Sequence, residues 1–114
     1  MAIFSVFYKA TKKSRFDHAY YDETHIPLLK EAFGSTGLQG VLVLKGVSAG
    51  DGGAAPFAVQ AHLSFDSPES LQASLTGPRA AEVQGDIAKF TDIKPLTQIS
   101  TRTPTAPAAG PAAT

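Results

Sequence analysis

The stretch AIFSVFY at residues 2–8 is apolar at odd and even positions alike and is rich in β-branched and aromatic side chains. A strand with that pattern has to be covered on both faces, which places it inside a sheet and requires flanking strands and apolar layers from the rest of the chain. Three further stretches read as strands. Residues 38–47, LQGVLVLKGV, carry another long apolar run, with Gly40 where a bulge would fall. Residues 57–65, FAVQAHLSF, alternate, with Phe57, Val59, Ala61, Leu63 and Phe65 on one face and Ala58, Gln60, His62 and Ser64 on the other. Residues 94–101, KPLTQIST, open with a proline that suits a strand entry or a sheet edge.

Between the first two strands lies SRFDHAYYDETHIPLLKEAF, residues 14–33. Ser14 and Asp17 have the spacing of an acidic capping box, which predicts a helix from about Arg15. Phe16 and Tyr20, then Tyr21 and His25, stand four apart, and Leu28, Leu29, Ala32 and Phe33 carry the apolar stripe to a cap at Gly34. Pro27 lacks the amide that would bond the Glu23 carbonyl and disfavours helical geometry at Ile26, which predicts a bend or break between Glu23 and Leu28. The second helical stretch opens on Ser67 as cap with Pro68 and Glu69 behind it, and Gly77-Pro78 divides it from a second piece bearing Val83, Ile87 and Phe90 on one stripe. Residues 48–56, SAGDGGAAP, lack the lysine and hydroxyl residue of a phosphate loop and read as a mobile hairpin connection.

The order is therefore βαββαβ. Right-handed crossovers turn it into the ferredoxin-like α+β fold, a four-stranded antiparallel sheet with two helices on one face. The apolar residues left on the other face of strands one and two predict a second copy packed sheet to sheet about a twofold axis, a dimeric α+β barrel. One domain is expected over residues 1–101, followed by a Thr/Pro/Ala-rich tail, 102–114, that has nothing large to bury and is expected to be disordered.

Charge and composition exclude several partners. Basic and acidic residues balance at ten each, with no basic run to attract nucleic acid or an anionic membrane. Cysteine is absent, which removes disulfides, thiolate metal sites and a cysteine nucleophile. No stretch reaches the roughly 20 apolar residues of a membrane helix, and no signal-peptide pattern opens the chain, so a cytoplasmic location is expected. No histidine pair has zinc spacing, and Asp22, Glu23 and His25 do not share one helical face, so neither a metal nor another cofactor is expected.

His25 is the residue best suited to chemistry, because imidazole exchanges protons near neutral pH. A pocket is predicted between the first helix and the sheet. His25 and Tyr21 would form its catalytic polar end, Phe4, Leu29, Phe33 and Phe65 its apolar wall, and Tyr20 and His62 further substrate contacts. Each has a structural alternative: His25 bonding a carbonyl freed by Pro27, Tyr20 packed in the core with Phe16, and His62 joining Gln60 and Ser64 in a polar patch or dimer interface. Asp86 is expected at the surface or paired locally on its helix, and His18 in solvent.

The motif F-D-x-x-Y-Y-x-x-x-H-I-P-L, met as Phe16, Asp17, Tyr20, Tyr21, His25, Ile26, Pro27 and Leu28, resembles the EthD family. So do the run from Ala61 to Glu69, A-x-L-S-F-D-S-P-E, and D-x-x-x-F-T from Asp86 to Thr91. The resemblance spans residues 2–101, and the tail is an addition to the family pattern. It implies a small dimeric α+β barrel, with His25 as the histidine of the H-x-P-L motif and Asp86 as the acidic residue before the last strand. The family is named for a protein linked to bacterial ethyl tert-butyl ether degradation, and relatives in fungal polyketide pathways act as decarboxylases or dehydratases. Two functions follow as expectations: a cofactor-free lyase or isomerase acting on a small hydrophobic, carbonyl-bearing or aromatic compound with His25 as general acid/base, or a non-catalytic carrier, accessory or stress-related dimer.

Overall fold

The computed structural model describes residues 1–102; residues 103–114, on which the expectation of a disordered tail falls, lie outside the described residues. Four strands, β1 (Ala2–Lys9), β2 (Leu38–Lys45), β3 (Phe57–Phe65) and β4 (Leu96–Thr101), form one antiparallel sheet in the order β2-β3-β1-β4. This is the ferredoxin-like order, and it puts β1, the strand apolar on both faces, in the interior. One face carries the helices. They are α1 (His18–Tyr20), a π-helical turn (Tyr21–His25), α2 (Ile26–Gly34), α3 (Pro68–Leu75) and α4 (Ala80–Asp86), the last running into a 3-10 turn (Ile87–Lys89).

Strand register decides which side chains meet the helices. Phe4 pairs with Leu63, Val6 with Ala61 and Tyr8 with Val59 on the helix side, whereas Ser5 pairs with His62 and Phe7 with Gln60 on the open side. Val59, Phe65, Leu71 and Phe90 are completely buried between sheet and helices. The register slips between Leu38 and Gly40, where a bulge was expected. A second slip, unexpected, lies between Tyr8 and Lys9, so that Lys9 pairs with Phe57 and Ala58 is skipped. Phe57 consequently turns to the open face and meets the Phe7 ring at 5.3 Å, while Ala58 packs toward the core.

The first helical stretch departs from expectation at both its start and its proline. Asp17, not Ser14, is the cap, its carboxylate accepting from the Tyr20 amide at 3.1 Å, while Ser14 bonds the Thr11 hydroxyl. The chain ahead of it is held extended by the far end of the second helical stretch. The Arg15 guanidinium donates to the Ala88 and Lys89 carbonyls, Phe16 bridges Thr91, and the Asp17 amide donates to the Phe90 carbonyl at 2.7 Å. No helix can begin before Asp17 under that constraint.

Pro27 does not break the helix. The Ile26 amide donates to the Tyr21 carbonyl five residues back, a π turn, and the α-helical register restarts with Pro27 in its first turn. Widening the preceding turn makes room for the proline ring and places its missing N–H where the new register needs none. The turn into β2 requires Gly37, whose φ is +95° and whose added Cβ would lie 2.6 Å from the Ser70 Cβ; Gly34 is simply the last residue of α2. Ser67 caps α3 through the Ser70 amide, and Gly77-Pro78 separates α3 from α4 as expected. No helix among the described residues is long and apolar enough to cross a membrane.

Candidate functional site

A cavity of about 520 Å³ opens between the sheet and the helices, within the usual range for small-molecule sites. Phe4 and Val6 of β1 and Leu29 and Phe33 of α2 give it apolar walls, and the exposed Asp92 and Lys94 stand at its rim. Tyr8, Tyr21, His25, Gln84, Thr91 and Thr97 are its other polar lining residues.

His25 owes its position to the π turn. Its ring stacks on Tyr21 at 5.5 Å and 22° and packs against Phe90 at 4.6 Å, leaving the residue 3% exposed. Nδ1 lies 2.9 Å from Asp86 Oδ2, and the other carboxylate oxygen accepts from the Tyr20 hydroxyl at 2.7 Å. Lys89 Nζ stands 3.8 Å from the same oxygen as Tyr20. No hydrogen bond reaches His25 Nε2 among the described residues, and none of their buried side-chain nitrogens or oxygens lacks a partner. Nε2 therefore reaches the cavity. An ionised Asp86 accepts from Nδ1–H, which leaves the Nε2 lone pair free to take a proton.

The electrostatics agree with that assignment. Burial pushes the His25 pKa below its ordinary value and outweighs the opposing hydrogen bond and charge of Asp86. For Asp86 burial acts upward, but the bonds from Tyr20 and His25 and the charge of Lys89 together hold it below the usual carboxylate value. At neutral pH the pair is neutral imidazole and carboxylate. Because His25 titrates below its unfolded value of about 6.5, the unfolded chain takes up a proton that the folded chain does not as pH falls past that value. Its contribution to stability is complete above about pH 6.5 and declines as pH falls toward the folded pKa. The melting temperature is expected to fall between pH 7.5 and pH 5.5, and His25→Gln, which cannot titrate, should flatten that slope; an unchanged slope would contradict the assignment.

The expected site residues divide into two groups. His25, Tyr21, Phe4, Leu29 and Phe33 come together around the cavity. Tyr20, Phe65 and His62 do not line it. Tyr20 is half-buried and reaches Asp86, and Phe65 is fully buried against Phe33 at 6.3 Å. His62 lies on the opposite side of the sheet, with Ser5 Oγ 2.8 Å from Nδ1 and Gln60 Oε1 3.1 Å from Nε2, because its strand parity is opposite to that of Leu63. Asp86 corrects the expectation most: it is 6% exposed and joins two residues of the other helical stretch. Its signal was present, since Asp86 stands three after Val83 and four before Phe90 and so shares their buried stripe. Tyr8 was also legible, by its parity with Phe4 and Val6. Among the described residues no group of three His, Asp or Glu side chains converges to hold a metal ion.

Comparison with known proteins gives one family. The EthD domain profile matches residues 10–94. The fold is similar to that of an EthD-like protein from Ralstonia eutropha, 36% identical, with 87% of this chain and 88% of that one covered at a TM-score of 0.79. An ethyl tert-butyl ether degradation (EthD) family protein from Bacillus halodurans is 21% identical over 90% of this chain and 99% of its own, at a TM-score of 0.72. SnoaB, a cofactor-independent oxygenase from Streptomyces nogalater, is 10% identical over 94% and 97%, at a TM-score of 0.63, a likeness of fold alone. No curated protein matches the chain.

Proposed function

The chain belongs to the EthD family, and on that premise we propose that it is a cofactor-free enzyme of lyase or isomerase type acting on a small hydrophobic compound with an enolisable carbonyl or phenol. The single observation behind this reading is a buried imidazole held at Nδ1 by Asp86, with Nε2 open to an apolar cavity. Nε2 takes a proton from the carbon beside the carbonyl, the C–H electron pair moves into the adjoining carbon–carbon bond, and the carbonyl oxygen gains the charge. Asp86 stabilises the imidazolium that results, and the Tyr21 hydroxyl at the same end of the cavity donates to the developing oxyanion. Return of the proton to another carbon isomerises the substrate, and departure of a β-hydroxide with its electron pair completes an elimination; in a decarboxylation the same enolate arises from loss of carbon dioxide from a β-keto carboxylate, and a proton added at carbon completes it. A panel of aryl ketones and polyphenols in deuterated buffer tests this reading, with exchange of the acidic C–H followed by NMR. Exchange well above the buffer rate is expected for at least one aromatic carbonyl compound; binding by thermal shift without any exchange would identify a carrier instead.

We also propose that the active form is a homodimer through the open face of the sheet. Leu42, Leu44 and Leu96 are 57%, 43% and 48% exposed and belong to that face by their pairing with His62, Gln60 and Phe7. A twofold partner covering them and the half-buried Ile3 and Phe7 would bury more than about 1,200 Å². Light scattering is expected to give twice the chain mass at micromolar concentration, and Leu42→Asp combined with Leu44→Asp to halve it. A monomeric wild type would refute the proposal.

A further inference from the structure

Tyr8 is the least explained polar residue of the cavity. It is 2% exposed on the helix face of β1, the last residue before the strand slips register, and its ring packs edge-on against Phe16 at 5.3 Å, Phe90 at 5.8 Å and Tyr21 at 6.0 Å. Those contacts use the ring and leave the hydroxyl without a task. Neither Tyr8 nor Tyr21 makes a side-chain hydrogen bond among the described residues, although Tyr21 is only 1% exposed. Since no buried oxygen among the described residues is left without a partner, both hydroxyls must open on the cavity that the two residues line. Phenols are costly to bury unbonded, and here two, their rings 6.0 Å apart, line the cavity that His25 also lines.

We propose that the hydroxyls of Tyr8 and Tyr21 together form a two-donor site for one substrate oxygen that becomes anionic during reaction, which narrows the substrate to compounds passing through an enolate or phenolate. The inference rests on the reading of the cavity as a site for a hydrophobic carbonyl or phenolic compound and adds Tyr8 as a catalytic residue. Two neutral donors in an apolar surrounding stabilise a developing charge more than they stabilise the ground-state carbonyl, which is the requirement for catalysis. Burial keeps both phenols protonated well above their ordinary pKa, with Tyr21 adding to the effect on Tyr8 and Asp22 to that on Tyr21, so both remain donors at any physiological pH. Tyr8 and Tyr21 are not redundant. They come from different elements, the sheet and the π turn, so each would donate to the oxygen from its own side.

Naphthols of graded acidity, with naphthalene as the control lacking oxygen, test this by fluorescence titration. Wild-type affinity is expected to rise with naphthol acidity, and Tyr8→Phe to flatten that dependence, weakening the most acidic naphthol by about tenfold or more while leaving naphthalene unchanged. Tyr21→Phe should act likewise, and it carries the test should Tyr8→Phe fail to fold. Equal dependence on acidity in wild type and variants, or no binding of naphthols by the wild type, would overturn the proposal. The two readings fail separately. Naphthol dependence without proton exchange on any compound would leave an oxygen-binding site lacking a base, whereas exchange without that dependence would leave the base and remove the two-donor site.

Discussion

His25→Ala is expected to lower turnover by about 10²–10⁴-fold while the protein remains folded, because proton transfer by a positioned side chain contributes that much. The imidazole cannot be replaced from nearby. Asp86 is below its ordinary pKa and turned toward Tyr20 and His25, and both tyrosines facing the cavity stay protonated. Loss of the ring leaves Asp86 with Tyr20 as its hydrogen-bond partner, an effect of about 1–3 kcal/mol on stability that should appear as a lowered melting temperature. Added imidazole should restore part of the rate, since the alanine leaves a ring-sized gap beside a cavity of about 520 Å³. If His25 only fills space, the variant will lose stability and keep its rate, and imidazole will change nothing.

The largest loss of stability is expected from Phe90→Ala, about 3–5 kcal/mol. Phe90 is completely buried and meets five rings: His25 at 4.6 Å, Tyr21 at 5.0 Å, Phe16 at 5.3 Å, Tyr8 at 5.8 Å and Tyr20 at 6.4 Å. No small side chain can maintain contact with all of them, and the rings surround Phe90 from several elements at once, so they cannot collapse together into the gap. Against a total stability of about 5–15 kcal/mol this is a large fraction, corresponding to a fall in melting temperature of about 12 °C or more. The same change loosens the wall behind His25. Turnover should therefore fall in Phe90→Ala even at temperatures where the protein is fully folded, and a loss of less than about 1 kcal/mol in chemical denaturation would show the cluster to be looser than its geometry.

Most of the architecture was legible because its signals are local. Ser67 followed by Pro68 starts a helix whatever surrounds it, Gly77-Pro78 ends one, and the strand FAVQAHLSF shows its buried face by alternation from Val59 onward. The pair His25 and Tyr21 was legible for the same reason, being four apart on a helix that carries a proline. Two of the misreadings involve a residue whose state is set by a distant one. Ser14 has the spacing of a cap, but the carbonyls of Ala88 and Lys89 hold Arg15 and draw the chain out of the helix. Phe57 has the parity of Val59, but the slip opposite Lys9 turns it to the other face.

The sequence by itself determined the order of strands and helices, the interior position of β1 and the presence of a histidine near a disturbed helical turn, since periodicity, capping and turn chemistry act within a few residues. Only the tertiary structure decided what that histidine can do. A proline can kink, break or shift a helix; here a π turn precedes it, and His25 at the end of that turn lines the cavity. The partner that holds its Nδ1 lies 61 residues away, and the phenol of Tyr8 reaches the same cavity from another layer; such a meeting depends on how the layers stack, which no local pattern encodes.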